Sequence, residues 1–346
     1  NAAGGVLGKD IEITSADTSD ADHADQNTSS AQSVLAKNPS VVVGPPSSSV
    51  VKNTYKQVTS AKVPMISSGA TSTAFSGLSD YFFRTIPPDT VQGAVLGQII
   101  AQDGVKNLAI AVFNDEYGTS LRDVVVKTVE DAGVNVVYGE KDTFDPTETK
   151  LLIDGHGHQG HQPRRDARHR LRPDRAARQG ARRPRPRHPQ AVHDRRQHRR
   201  PFRRLRRGPA QGLHRHHSRC HPTEEFQKNV KSFNAKITDF TYTAETYDAI
   251  VLAALAAQKG GATDGTTVQK NLMAVSGSTK GKECDSYKAC LALLKDGKEI
   301  QYKGQTSIGA FNDAHDPSSA SIGVYKYDAD NKPVFDHSQE GSVPKA

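Results

Sequence analysis

Short apolar runs alternate with amphipathic segments through residue 138 of the chain. The apolar runs are typical of buried strands, and the segments between them have the apolar spacing of helices. This pattern predicts strands at 11–14, 41–43, 63–66, 108–113 and 134–138, and helices at 31–37, 55–60, 91–101 and 120–132. Strands and helices that alternate at this spacing form a parallel sheet with helices on both faces.

Three polar loops follow predicted strands, at Gly44 to Ser49, Ser67 to Thr71 and Asn114 to Gly118. Ligands of parallel α/β sheets bind beyond the carboxyl ends of the strands. The first two loops carry hydroxyls and glycine, which suit them to present O–H and N–H groups to a carboxylate. A single loop of this kind is commonly only a turn, so the prediction of a small-molecule site depends on all three together.

Residues 151–222 do not follow this pattern. They contain 21 Arg, no Lys and 11 of the 14 His residues of the chain. The remainder has 25 basic and 34 acidic residues, a net charge of −9, although the whole chain has a net charge of +8 and a pI near 9.3. The basic character that would indicate a nucleic-acid partner therefore comes from this block alone, and we expect no nucleic-acid partner.

A shift of reading frame in a GC-rich gene would produce such a composition, because shifted codons become rich in Arg, Pro, His, Gly and Ala. With suitable codons, Arg168 to Arg175 reads one base later as VIAFDQT, a buried strand followed by a loop, and three other pieces also give plausible α/β sequence. We therefore hypothesise an inserted base near Lys150 and a compensating loss near Pro222. The alternative is a genuine Arg-rich insertion, and sequencing the DNA for residues 148–225 distinguishes the two.

The frame hypothesis removes several candidate sites. His156, His158 and His161 resemble a metal-binding cluster, because imidazole is a common ligand of transition metals, but we expect no metal and no cofactor. Cys220 also lies in the block. The remaining pair, Cys284 and Cys290, is typical of a disulfide in an exported protein, since zinc would need two further ligands nearby.

The sequence contains no recognisable catalytic arrangement. The glycine-rich segment from Gly4 to Lys9 lacks the spacing of a phosphate-binding loop, and Asp10 stands where Ser or Thr is required. No G-x-S-x-G motif precedes a helix. We therefore expect a protein that is not an enzyme. The chain also has no membrane-length apolar run and no signal peptide at its start, so a signal was removed or the chain begins inside its domain.

Motifs spread over nearly all of the chain outside the Arg-rich block resemble the branched-chain amino-acid (Leu/Ile/Val-type) binding proteins of ABC transporters, which have the type I periplasmic-binding-protein fold. They occur in the order found in that family, which makes the resemblance specific. They are NAAGGVLGK (1–9), VVVGPPSSS (41–49), VPMISSGATS (63–72), FFRTIPPD (82–89), VFNDEYG (112–118), ETYDAI (245–250) and DPSSASIGVYKY (316–327).

The resemblance implies a two-lobed α/β protein in which each lobe is a parallel sheet flanked by helices. Lobe 1 would comprise residues 1–87 and 246–318, and lobe 2 residues 88–245 and 319–346. Relative to the family, the first βα unit is missing before the NAAGG motif. The frame shift would also remove the lobe 2 acid that clamps the ligand ammonium, since the restored frame places Asp where Arg195 now stands.

The resemblance also implies which residues bind the ligand as the two lobes close about a hinge. Ser48 and Thr71 would offer hydroxyls, and Gly69 a backbone group, to the carboxylate and ammonium of an amino acid. Tyr117 would close on the ligand from lobe 2, unless it is simply a half-buried loop residue. Tyr247 would line the site, although packing within its helix is the alternative.

The implied function is that of an exported solute receptor. It would capture a small amino acid or related compound and deliver it to an ABC permease, as a monomer held at the cell surface by a lipid anchor or free in the periplasm. Two other classes stay open. One is a ligand-sensing receptor lobe of the same fold, and the other is a nucleic-acid-binding protein that acts through the Arg-rich block.

Overall fold

The first βα repeats form a parallel sheet with the strand order β1 (Val42–Val43), β2 (Met65–Ser67) and β3 (Phe82–Arg84). Helices α1 (Ala24–Leu35) and α2 (Ser48–Ser60) cover one face of this sheet. The apolar side chains of α2 recur at helical spacing and pack with those of β2 and β3. The shared core contains Ala31, Val51, Val58, Val63, Met65, Ala70, Phe75 and Phe82.

The structure is a computed structural model that describes residue 1 and residues 3–141, 214–217, 220–330 and 332–342, with the backbone alone for 214–217. These residues belong to one compact unit. Most of the Arg-rich block lies outside the described residues, as do the predictions for His156, His158, His161 and Arg195. The frame hypothesis and the division into two lobes both stay predictions.

A second pair of parallel strands, β4 (Asn107–Ala109) and β5 (Asn135–Tyr138), accompanies helices α3 (Asp89–Gln102) and α4 (Glu116–Asp131). The two helices lie unusually close together. A Cβ added at Gly93 would come within 2.7 Å of the Val124 side chain, and one at Gly97 within 2.6 Å of the Thr128 side chain. Glycine is therefore required on the face of α3 that meets α4.

Helix α6 (Thr243–Gly260) is the central helix of the main core, the cluster of buried apolar residues that includes Ile66, Phe83, Leu252, Leu255, Leu272 and Ile300. Its sequence is apolar on nearly all sides, which is typical of a helix buried among other elements. Helices α7 (Gly265–Met273) and α8 (Tyr287–Lys295) pack against it, and the parallel strands β7 (Lys282–Cys284) and β8 (Ile300–Tyr302) contribute side chains to the same core. A π-helical turn at Ala274–Ser278 continues α7, and α5 (Glu224–Phe233) precedes α6.

The predicted cysteine pair forms a disulfide in the structure, between Cys284 at the end of β7 and Cys290 in α8. It joins a strand and a helix of the main core, where Cys290 is fully buried. Cys220 has a free thiol and is half-buried.

One sheet is antiparallel, in contrast to the parallel sheets expected for each lobe. Its strand order is β10 (Pro333–Ser342), β9 (Ser319–Tyr327) and β6 (His214–His217). Asp328 closes the short connection between β9 and β10, because its carboxylate accepts hydrogen bonds from the backbone N–H groups of Asp330 and Lys332. A connection this short can join only antiparallel neighbours.

Most elements predicted before residue 140 are present, with shifted ends, but the strand at 11–14 is wrong. These residues have no regular secondary structure, and Ile13 is 79% exposed. Alternation of apolar and polar residues produces a strand only where a neighbour pairs with its backbone, and β1 pairs with β2 alone among the described strands. Within the described ranges, no helix is both long enough and apolar enough to cross a membrane.

Candidate ligand-binding site

Two buried polar side chains meet where the loop after β2 approaches the start of α3. Thr71 is 1% exposed and Asp89 is 0% exposed. In the part of the chain that the structure describes, neither the Thr71 hydroxyl nor either carboxylate oxygen of Asp89 has a hydrogen-bond partner. Leaving such groups unpaired is costly, and buried polar groups in native proteins are rarely left so. These two residues therefore mark a place where a polar ligand would supply the missing bonds.

Burial raises the pKa of Asp89 to about 6. The nearby hydroxyls of Ser120 and Thr71 and the positive charge of Arg84 act in the opposite direction, and the charge of Glu116 adds to the rise. Asp89 is also the first residue of α3, so the positive end of the helix dipole favours its ionised form. At neutral pH the site therefore contains a buried negative charge that has no bonded counter-ion among the described residues.

The predicted residue Ser48 lies at the first position of α2, on the other side of the same loop. It is 3% exposed, and its hydroxyl oxygen accepts a hydrogen bond of 3.4 Å from the backbone N–H of Ser72. Its own proton therefore stays available to a ligand. The positive end of the α2 dipole lies at the same place, which favours a negatively charged group of the ligand there.

Tyr117 lies in the first turn of α4, and its hydroxyl is 3.2 Å from Nε2 of Gln92, one turn after Asp89 in α3. Burial of the phenol end raises the pKa of Tyr117 to about 12, and the charge of Asp89 adds to the rise. The phenol is therefore neutral at physiological pH and keeps a proton to donate. The structure thus brings Tyr117 close to Asp89, although 39% of the tyrosine surface is exposed.

The start of α4 is tied to the loop after β2 by a group of polar contacts. Glu116 accepts hydrogen bonds from Ser72 Oγ at 2.9 Å and from Lys52 Nζ at 2.8 Å. The backbone N–H of Thr73 donates to Ser120 Oγ at 3.0 Å. These contacts fix the turn that carries Tyr117 beside the loop that carries Thr71.

Gly69 is buried in the same loop, directly against Pro46. Its N–H donates a hydrogen bond of 3.4 Å to Ser67 Oγ, so this donor already has an acceptor within the loop. An added Cβ would come within 2.7 Å of the backbone oxygen of Pro46. The residue type at position 69 therefore reflects close packing of the loop, and the predicted contact between its backbone and a ligand stays untested.

Gly69→Ala should consequently displace the loop that carries Thr71. We expect a loss of about 1–3 kcal/mol in the free energy of unfolding, measured by chemical denaturation, because the new methyl group meets backbone atoms that cannot turn aside. Gly104→Ala is a control for overlap only, since an added Cβ there meets no atom within 4 Å but its left-handed backbone costs about 1–2 kcal/mol that Gly69→Ala does not incur. Its φ of +74° costs only backbone strain. Equal stability of Gly69→Ala and the unchanged protein would contradict this account of the loop.

Tyr247 lies in α6, where its ring packs edge-to-face against Phe226 with the centroids 5.5 Å apart. This contact resembles the packing alternative more than the wall of a ligand site, but 40% of the residue is exposed. Its role in binding stays a prediction.

Four residues of the site are not predicted from the sequence: Asp89, Gln92, Glu116 and Ser120. A signal for Asp89 was present, because it ends the motif FFRTIPPD and begins a helix directly after Pro87-Pro88. An acidic residue at that position is ordinarily read as a favourable first turn. Only burial and the lack of a partner distinguish it, and neither can be read from sequence.

Known proteins resemble this chain in both sequence and structure. Residues 1–154 match the family described as "Receptor family ligand binding region". A leucine-, isoleucine-, valine-, threonine- and alanine-binding protein of Pseudomonas aeruginosa is 35% identical over 160 residues, which cover 44% of this chain. The match spans only 42% of the length of that relative.

Solved structures match nearly the whole chain at low sequence identity. A leucine-binding protein of Thermotoga maritima is 12% identical, with a TM-score of 0.64 over 97% of this chain and 91% of that protein. The branched-chain amino acid transporter substrate-binding protein of Streptococcus pneumoniae, solved with isoleucine, is 15% identical. Its TM-score is 0.61, over 99% of this chain and 90% of that protein. A solute-binding protein of R. palustris, solved with benzoate, is 13% identical. Its TM-score is 0.62, over 99% of this chain and 89% of that protein.

These matches agree with the predicted fold and with the family that the sequence motifs resemble. The described residues form parallel sheets flanked by helices, and the sequence match covers the part of the chain that contains the loops after β1, β2 and β4. The chain therefore has the type I periplasmic-binding-protein fold, and it resembles the branched-chain amino-acid-binding proteins of that fold.

Proposed function

We propose that this protein is an extracytoplasmic solute-binding protein that captures a small α-amino acid and delivers it to an ABC permease. The observation that carries the proposal is the fully buried Asp89 carboxylate. It makes no hydrogen bond of normal length and angle in the described residues, although the hydroxyls of Thr71 and Ser120 lie near enough to lower its pKa. A ligand ammonium would supply both the missing charge and the missing hydrogen-bond donors.

The two sides of the site suggest how an amino acid would be oriented. The ammonium would lie against Asp89 and Thr71, and the carboxylate against Ser48 at the positive end of α2. The neutral phenol of Tyr117 would donate a hydrogen bond from the start of α4. The two charged groups of an α-amino acid are separated by one carbon, and a site with a negative and a positive side suits such a zwitterion.

The charge of Asp89 also favours amino acids over simple carboxylic acids. The matched structures include proteins solved with isoleucine and with benzoate. A benzoate-like ligand would bring a second negative charge towards Asp89 and offer nothing to neutralise it. Above the pKa of Asp89, near pH 6, this repulsion disfavours an acid that lacks an amino group.

The other parts of the proposal follow from the resemblance. The relatives with known roles are binding proteins, so we propose a receptor that acts without catalysis and without a cofactor, as a monomer outside the cytoplasm. The disulfide in the main core supports an oxidising compartment. The frame hypothesis for residues 151–222 remains part of this proposal.

The test is a thermal-shift screen of the full chain against L-leucine, L-isoleucine, L-valine, L-threonine, L-alanine and benzoate, followed by calorimetry. At least one amino acid should raise the Tm and bind saturably, and benzoate should not. Thr71→Val should weaken that binding by about 5- to 150-fold, the cost of roughly 1–3 kcal/mol for one lost buried hydrogen bond.

Thr54→Val is the matched control for this test. Thr54 is equally buried in α2, but its hydroxyl donates to the backbone oxygen of Val50 at 2.7 Å. We expect the control to keep the affinity of the unchanged protein. Saturable binding of benzoate with no response to any amino acid would refute the proposed ligand class, as would Thr71→Val binding as tightly as the unchanged protein.

A further inference from the structure

Arg84, the last residue of β3, is fully buried and forms an ion pair with Asp316. The Nε atom lies 2.6 Å from Oδ1 of Asp316, which is itself 1% exposed. Ser76 completes the arrangement, because its hydroxyl donates to Oδ2 of Asp316 at 2.6 Å and accepts from the guanidinium at 2.9 Å. The orientation of the guanidinium plane is therefore fixed by groups on one side.

On its other side, the guanidinium holds the loop that carries Thr71. One terminal nitrogen donates to the backbone oxygen of Ala70 at 3.2 Å and to that of Ser72 at 2.8 Å. The carbonyl between them, that of Thr71, accepts from the backbone N–H of Asp89 at 2.7 Å. Three successive carbonyls are thus held by two residues, and this fixes the backbone on both sides of the Thr71 side chain.

We infer that Arg84 is a positioning residue for the ligand site, which holds the Thr71 hydroxyl in place beside Asp89 without touching the ligand. The role assigned to Thr71 rests on the proposed function, but the placement of the loop by Arg84 does not. Asp316 and Ser76 affect the loop only through Arg84, because they set the orientation of its guanidinium.

Stability alone does not explain this arrangement. Burying an arginine and an aspartate requires a large desolvation cost, and well-packed apolar residues often hold a core as well or better. An apolar side chain, however, cannot donate hydrogen bonds to the two carbonyl oxygens of Ala70 and Ser72. Lysine would keep the charge, but its ammonium lacks the planar fork of donors that reaches Asp316, Ser76 and the loop together.

The first measurement is hydrogen exchange of the full chain without ligand, in a peptide that covers residues 67–75. Arg84→Lys should raise the exchange rates of the loop amides by about tenfold or more, because the loop opens locally once its carbonyls are released. The control is Leu272→Ala in α7, which removes a fully buried side chain of the main core. It should lower the Tm but leave exchange in this peptide unchanged.

Ser76→Ala keeps the experiment decisive if Arg84→Lys does not fold. Position 76 is exposed, so the variant should fold, and loss of the hydroxyl frees the guanidinium on one side. We expect a smaller rise of about two- to fivefold in exchange of the same amides. Unchanged exchange of this loop in the variants that fold would overturn the inference.

The second measurement is calorimetric affinity for L-leucine, or for the amino acid that gives the largest thermal shift. Arg84→Lys should weaken binding by about tenfold or more, whereas Leu272→Ala should bind within twofold of the unchanged protein even if its Tm is lower. A loop that opens with no change in affinity would also overturn the inference. If the unchanged protein binds no amino acid, the proposed function fails, and the exchange result still decides whether Arg84 positions the loop.

Discussion

Asp89→Asn is expected to abolish binding of an amino acid and, at the same time, to stabilise the ligand-free protein. Removing the carboxylate charge takes away the counter-ion of the ligand ammonium, so the affinity measured by calorimetry at pH 7 should fall by about 100-fold or more. The gain in stability has a separate cause. The pKa of Asp89 rises from 3.8 to about 6 on folding, so burying the charged form costs on the order of 3 kcal/mol at pH 7.

The pH dependence gives the sign of this effect. Because the pKa is raised by folding, the contribution of Asp89 to stability is fully present below about pH 4 and is lost as the pH rises through about 6. Ligand affinity should change in the opposite direction and increase over the same interval, since the ammonium needs the ionised carboxylate. Asp89→Asn should show neither change near pH 6.

Asp10→Asn is the control, because Asp10 is exposed at the surface. It should leave both affinity and stability within experimental error. If Asp89→Asn were less stable than the unchanged protein at pH 7, or bound leucine equally well, the carboxylate would have a structural partner and would not be a ligand anchor. Binding sites commonly carry such a cost in stability, because their polar groups are paired only when the ligand is present.

Asp248→Ala is expected to destabilise the protein by about 3–5 kcal/mol, the largest loss that we expect from a single change. Asp248 is 1% exposed in α6, and its carboxylate accepts hydrogen bonds from the Tyr302 hydroxyl, from the N–H groups of Gln305 and Thr306 and from the Thr306 hydroxyl. Alanine leaves these donors buried without an acceptor. Chemical denaturation monitored by circular dichroism measures the loss.

Asp313→Ala is the matched control for this change, since Asp313 is exposed. Its free energy of unfolding should lie within about 0.5 kcal/mol of that of the unchanged protein. Asp248→Asn separates charge from shape, because the amide keeps one acceptor oxygen and turns an N–H group towards existing donors. It should therefore be destabilised, though less than the alanine variant. A loss below about 1 kcal/mol for Asp248→Ala would show that water replaces the carboxylate.

The elements that the sequence predicts well are those whose partners are close in the chain. Helix α4 is evident from apolar spacing because that pattern depends on the helix alone. The helix predicted at 91–101 is also present, as α3, although its apolar residues lie on most of its sides. The strand predicted at 11–14 fails because a strand depends on a neighbour that the pattern does not show. The same reason limits the prediction of β4, which ends at Ala109 although the apolar run continues to Phe113.

The candidate site divides in a similar way. Ser48 and Thr71 follow the neighbouring strands β1 and β2, so strand order alone indicates that they meet. Tyr117 follows β4 in a different sheet, and side-chain contacts of α4 with the loop after β2 bring it to the site. The ion pair of Arg84 with Asp316 joins residues 232 positions apart, and no local pattern connects them. The raised pKa of Asp89 depends on burial by α4 and the loop after β2, which is a property of the packed structure.

The two glycines on the α3 face have a mechanical consequence for the site. Because Gly93 and Gly97 place no side chain between them, α3 and α4 pack closely enough to move as one unit. Each helix carries one site residue at its amino end, Asp89 on α3 and Tyr117 on α4. A ligand bound by both residues would therefore contact a single rigid unit, and engineering that changes the preferred ligand should vary the surrounding loops and keep both glycines.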